Sequence, residues 1–252
     1  MKKIVLPIGM FATTMLFVLS CSKKSSSSTP CKLITVTETN SSSTTTTNIA
    51  YNNEGKITTE NATTVNGGNN STNNTVFTYA GNVILKTTTY TYNSNPPETW
   101  TDSLATNSAG YVIAETQRYS PTSYTYTTYT YDGSNKLLKS TSQSGSNPPS
   151  TSIVSYSGGD MNTIVNGTDT TYLYYNTGKA SSRNDYLYLL QQLQYSGAHV
   201  FNCAHQLTAL TNPGSPIMDL DYTLDDKGNL VTMKVIQGSS IDTYSMQYDC
   251  TQ

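Results

Sequence analysis

Tyr129-Thr130-Tyr131-Asp132-Gly133-Ser134-Asn135-Lys136-Leu137 is the stretch whose reading decides the fold. Alternate residues of a strand point to one face, so Tyr129 and Tyr131 lie together and the intervening threonine points away. Asp, Gly, Ser and Asn then supply turn chemistry, through side chains that bond their own backbone and through tolerance of positive φ. Lys136-Leu137 starts a second strand. The same succession returns at 49–57, 77–84, 154–161, 172–179 and 221–231, with a degenerate copy at 104–112, and Tyr248-Asp249 opens one more. With Tyr51, Tyr79, Leu104, Tyr131, Tyr156, Tyr174, Tyr222 and Tyr248 as markers, the spacings are 28, 25, 27, 25, 18, 48 and 26 residues.

A recurrence near 26 residues is a structural unit. Each unit reads as a β-hairpin with the marker tyrosine and its i−2 neighbour on the core face and Thr, Ser or Gln facing water. A single hairpin is marginal alone, so the units must stack to create a core. Longer Asn/Ser/Pro-rich loops are expected between units at 65–75, 93–98 and 142–149. The pattern resembles the YD repeats of Rhs proteins and teneurins, and more closely the YD-repeat-like sheets of Bacteroidota lipoproteins. The resemblance covers residues 45–250, although Asp follows the marker tyrosine in only some copies. Residues and resemblance together imply an all-β fold: one extended antiparallel meander of repeated hairpins, forming an open curved sheet or a partly closed barrel.

The 48-residue spacing holds an insertion. Within it, residues 185–195 form the most aliphatic stretch after the N-terminal segment, with Leu189, Leu190 and Leu193 at helical spacing and Asp185 placed to cap. A short helix near 185–195 or a pair of strands fits, and its bland role is to plug one end of the sheet.

Residues 1–20 read as a signal peptide: Met1-Lys2-Lys3, an apolar run to Leu19 shorter than the roughly 20 residues of a spanning helix, then a small-residue site. Val18-Leu19-Ser20-Cys21 resembles the lipobox of bacterial lipoproteins, which implies that Cys21 is lipidated and becomes the first residue. Residues 21–30 are a flexible Ser-rich tether, and the repetitive β-sheet domain spans 31–252. The resemblance implies an outer-membrane lipoprotein, held in the bilayer through its N-terminal acyl anchor. The same resemblance implies acidic residues just after the cysteine in surface-exported members, and Lys23 and Lys24 in their place favour the periplasmic face over the cell surface.

Only 12% of residues are charged and the net charge is −2, so the basic footprint of a nucleic-acid binder is absent. A monomer without cofactor or metal is expected. Beyond Cys21 there are Cys31, Cys203 and Cys250, of which Cys31 and Cys250 flank the first and last expected strands and are the favoured disulfide, with Cys203–Cys250 the alternative. Neither His199 nor His205 belongs to a nucleophile-elbow or zinc-ligand pattern. Tyr119, Tyr124, Tyr126, Tyr129 and Tyr131 are the candidate ligand-binding rings, although the odd step between Tyr126 and Tyr129 puts the two pairs on opposite faces unless a bulge intervenes. These features favour a non-catalytic binding or scaffold protein of the envelope, with a glycan, peptide or envelope protein as partner. The alternative is an envelope glycan hydrolase using paired carboxylates, for which Asp219, Asp221, Asp225 and Asp226 are the candidates. Replacing Cys21 by Ala is expected to move the protein from the membrane pellet to the soluble envelope fraction, as read by fractionation. A variant that stays in the pellet would contradict the anchor.

Overall fold

The computed structural model describes residues 31–120, 122–180, 186–195, 198–200 and 203–250. The signal peptide, Cys21, the tether and Asp185 lie outside the described residues. The first eight strands are β1 (Lys32–Thr39), β2 (Ser43–Tyr51), β3 (Ile57–Asn66), β4 (Asn69–Ala80), β5 (Val83–Tyr92), β6 (Glu98–Thr106), β7 (Val112–Arg118) and β8 (Tyr124–Tyr131). They are followed by β9 (Leu137–Ser144), β10 (Ser150–Ser157), β11 (Asp160–Asn166), β12 (Asp169–Ala180), helix α1 (Tyr186–Tyr195), β13 (His205–Thr211), β14 (Met218–Leu224), β15 (Leu230–Gln237) and β16 (Ser240–Asp249). Each strand pairs antiparallel with its sequence neighbour, and β1 pairs with β16 from Lys32–Asp249 to Thr39–Thr243, so the meander closes into a barrel. Of the two forms expected, the open sheet is therefore set aside.

Four of the turns are held by an Asn or Asp at their first position, which directly follows the marker at Tyr51 and Tyr131 and comes three residues after it at Leu104 and Tyr222. Oδ1 of Asn52 accepts the backbone N–H groups of Glu54 and Lys56, and Oδ1 of Asp132 accepts those of Ser134 and Lys136. Asn107 and Asp225 do the same two and four residues on. Asp and Asn are interchangeable there because a single acceptor oxygen is all that the turn asks of them. The fourth turn position has positive φ, at Gly55, Gly110, Asn135 and Gly228.

The marker tyrosine joins one hairpin to the next. The hydroxyls of Tyr51, Tyr79, Tyr131 and Tyr222 donate to the carbonyls of Leu33, Ile57, Val112 and Leu207, each on the preceding strand, at 2.7–2.9 Å. Lysines at the turns add a second contact: Lys32, Lys56 and Lys136 lie 5.1–5.5 Å from the ring centroids of Tyr51, Tyr79 and Tyr156. The Lys-aliphatic pairs Lys32-Leu33 and Lys56-Ile57 thus receive the next tyrosine through both ring and hydroxyl.

The last copy, which breaks off after Tyr248-Asp249, is completed by the other end of the chain. Leu33 pairs with Tyr248, as Ile57 pairs with Tyr51 and Leu137 with Tyr131, and the Cys31–Cys250 disulfide stands where other units have a turn. Cys203 is buried outside the disulfide, and its sulfur accepts the N–H of Met161 at 3.3 Å.

One expectation about loops fails. The stretch 65–75 is not a loop: β3 and β4 run to Asn66 and from Asn69 around Gly67-Gly68. Loops do occupy 93–97 and 145–149.

Inside, Ile49, Phe77, Leu104, Tyr129, Val154 and Leu173 form an apolar belt beside the tyrosines, and Leu189 of α1 packs into it. The insertion therefore seals the lumen at the disulfide end. Its return limb is pinned by Asp160, whose Oδ1 accepts the N–H groups of Ala204 and His205 at 2.8 Å while Oδ2 meets His205 Nδ1 at 2.6 Å. Replacing both Cys31 and Cys250 by Ser opens a loop of 219 residues and is expected to lower unfolding free energy by about 5 kcal/mol. Chemical denaturation checks this, and an unchanged midpoint would contradict the closing role of the bond.

Candidate functional site

Beyond the apolar belt the lumen becomes polar. Hairpin registers place Thr47, Ala62, Asn73, Thr75, Thr88 and Trp100 on the inner face, towards the end opposite the disulfide. With Glu60, Asp102, Arg118 and Leu193 of α1 they line a cavity of about 300 Å³. That volume is at the lower bound of small-molecule sites. Trp100, the single tryptophan of the chain, forms part of its wall and lies 6.3 Å from Tyr90 between ring centroids.

Three carboxylates gather around one lysine. Lys86 sits on β5 opposite Asp102 of β6 and Phe77 of β4, with Nζ donating to the carbonyl of Gln194 at 3.0 Å and 5.8 Å from the Phe77 centroid. It therefore holds the last turn of α1, where helix carbonyls carry partial negative charge. It also acts electrostatically on Glu60, Asp102 and Glu115. Asp102 accepts the Arg118 N–H at 2.6 Å, and Glu115 accepts the Tyr129 hydroxyl at 2.8 Å. Burial raises the pKa of all three, and for Glu60 it outweighs Lys86 and carries the carboxyl to about 7. Glu60 Oε1 is buried with no hydrogen-bond partner among the described residues.

The rings named from sequence divide between two environments. Tyr124 and Tyr126 are exposed on the outer face, Tyr119 lies exposed in the loop before β8, and Tyr129 and Tyr131 face the lumen. The five rings do not form one surface, because no bulge interrupts β8 between Tyr126 and Tyr129. Arg118 lies 5.3 Å from the Tyr124 centroid and donates from Nε to the Thr101 carbonyl.

The aspartates considered as a carboxylate pair lie away from the cavity. Asp219 and Asp221 are exposed on the outer face of β14, and Asp225 holds a turn. His199 donates its N–H to the Gly110 carbonyl and accepts the Val112 N–H, tying the insertion to the β6–β7 turn, and His205 belongs to Asp160. None of these residues touches the cavity, whose acids come from separate hairpins.

No family model matches this chain, and no curated protein matches it. Among solved structures, a porin-like protein from Bacteroides uniformis superposes with a TM-score of 0.62 at 16% identity, over 88% of this chain and 99% of that one. A porin-like protein from Bacteroides vulgatus gives 0.55 at 13% identity, over 86% and 98% respectively. At these identities the likeness is one of fold.

The interior departs from a water-filled channel. Barrels of 16–18 strands leave an aqueous lumen in porins, whereas here, among the described residues, α1 and the apolar belt fill one end and the cavity lies towards the other. Glu60 gives a pH signature. Its folded pKa of about 7 exceeds the reference 4.5, so its cost to stability is absent below 4.5, grows as pH rises, and is complete above 7. Glu60→Gln is expected to stabilise the protein at pH 8 by about 3 kcal/mol and to have little effect at pH 4. Denaturation at the two pH values checks this, and an equal effect at both would contradict it.

Proposed function

We propose that the chain is a non-catalytic binding module of the bacterial cell envelope, tethered through Cys21 to the outer membrane and standing in water rather than in lipid. The observation that carries this reading is the outer face. Asn48, Asn61 and Asn74 form an exposed row across β2, β3 and β4, flanked by Thr35 and Thr89. Asp221 and Lys234 sit opposite one another at mid-strand and both are exposed. A spanning barrel shows an outward apolar band about 25 Å tall, and a lysine at its middle costs about 2–4 kcal/mol.

The fold shared with porin-like proteins supports the envelope setting, and the sealed lumen argues against conduction. Because β1 begins at the disulfide end, a tether before Cys31 leaves from the sealed end and the cavity opens away from it. Such a geometry presents a ligand site to the compartment rather than to the membrane.

The hydrolase reading retains one observation in its favour, since Glu60 and Asp102 share the cavity and burial raises the pKa of both. Turnover of chromogenic glycosides that is lost in Glu60→Gln would favour it over the binding module. A form lacking residues 1–30 is expected to purify without detergent as a monodisperse monomer and to give no conductance in planar bilayers. A requirement for detergent, or discrete channel openings, would contradict the reading.

A further inference from the structure

We infer that the cavity of Glu60, Asp102 and Trp100 is a binding site for a compact organic ammonium ion. This rests on the binding-module reading and names the class of ligand that the site would take.

The side chains that meet in the cavity leave acceptor capacity unused. Glu60 lines it while 9% exposed, and its Oε1 has no partner among the described residues. Buried polar atoms are normally bonded, because an unpaired one retains its full desolvation cost. Asp102 lines the same space and is 8% exposed, with Oδ1 taken by the Arg118 N–H.

The cations nearby moderate these acids electrostatically but place their own hydrogen bonds elsewhere. Lys86 Nζ is bound to the Gln194 carbonyl, and Arg118 Nε is bound to the Thr101 carbonyl with its guanidinium over the outward Tyr124 ring. Thr75 and Thr88 satisfy one another across the wall at 3.0 Å. What Glu60 Oε1 lacks among the described residues is a donor, and what would complete it best is a donor carrying positive charge.

Trp100 supplies the second half of the recognition. Its ring forms the wall of a small, partly enclosed space, and an indole face is the best side-chain partner for an ammonium group. Ala62 and Leu193 give the ligand's carbon skeleton an apolar contact. A bare metal ion fits less well, since no group of three or more His, Cys, Asp or Glu side chains among the described residues is arranged to hold one.

Because Trp100 is the single tryptophan in the chain, its emission reports this cavity directly. The experiment titrates ethanolamine and glucosamine into the detergent-free protein, with ethylene glycol and glucose as neutral counterparts. The expected result is a saturable change in Trp100 emission with the amines, none with the neutral compounds, and affinity weakened about tenfold or more in Glu60→Gln and Asp102→Asn. Ala62→Leu should block binding by filling the space without altering charge. Melting curves verify that each variant is folded, and Glu60→Gln is expected to melt no lower than the parent at neutral pH.

Emission that ignores both amines, responds equally to glucose, or titrates identically in folded Glu60→Gln overturns the proposal. A protein that never becomes a detergent-free monomer instead fails the binding-module reading, so the two failures are distinguishable.

Discussion

The hydroxyl of Tyr79 donates to the carbonyl of Ile57 on the preceding strand, and the same bond recurs from Tyr51, Tyr131 and Tyr222. Each bond is worth about 1 kcal/mol net, yet it fixes more than its energy. It ties the marker ring to the preceding strand, couples consecutive hairpins, and leaves the apolar belt one residue pair deeper. Because a hairpin has no core of its own, this coupling turns a string of marginal units into a wall. The wall must then meet itself, and the chain termini contribute half a repeat each, joined by Cys31–Cys250.

Closure gives the barrel two unlike ends. At the disulfide end the tyrosines, the belt and α1 fill the lumen. At the other end many inward positions are Thr, Ser and Asn, with hydroxyl rungs such as Thr45–Thr64 and Thr127–Ser142, beside Trp100 and Ala62. The acids stand where the two regions meet. Lys86 couples them to the plug, since the cation that moderates Glu60, Asp102 and Glu115 also holds the last turn of α1. Occupation of the cavity by a ligand would therefore be felt by the helix that seals the lumen.

Much of the architecture was legible because the apolar half of each strand alternates cleanly around a turn with recognisable chemistry. Closure was legible in part: a partly closed barrel was one of the two expected forms and Cys31 and Cys250 flank the first and last strands, but strand number and twist, which decide the pairing of β1 with β16, leave no local pattern. The stretch 65–75 misled for a different reason: near the polar mouth both faces of a strand carry Thr and Asn, so period-two alternation vanishes and strand reads as loop. The carboxylates were missed because they are single residues on separate hairpins. One signal was available: Lys86 and Asp102 lie two residues from Ile84 and Leu104, and an even step from a core aliphatic marks an inward charge in a chain with few charges. The clustered Asp219–Asp226 run drew attention instead, though proximity in sequence placed those acids on the outer face and in a turn.

The barrel is sealed at its disulfide end by α1 and the apolar belt, and the binding-module reading requires its outer face to stand in water. The most direct measurement places a cysteine at Asn74, mid-strand on the outer face, in the full lipid-anchored protein and times its reaction with a membrane-impermeant maleimide once the outer membrane has been made permeable. Cys203 is buried and Cys31 is bonded to Cys250, so the background is low. The account predicts labelling as fast as that of a cysteine in the exposed loop 93–97. Protection of position 74 that is lifted only by detergent would place the wall in lipid and contradict it.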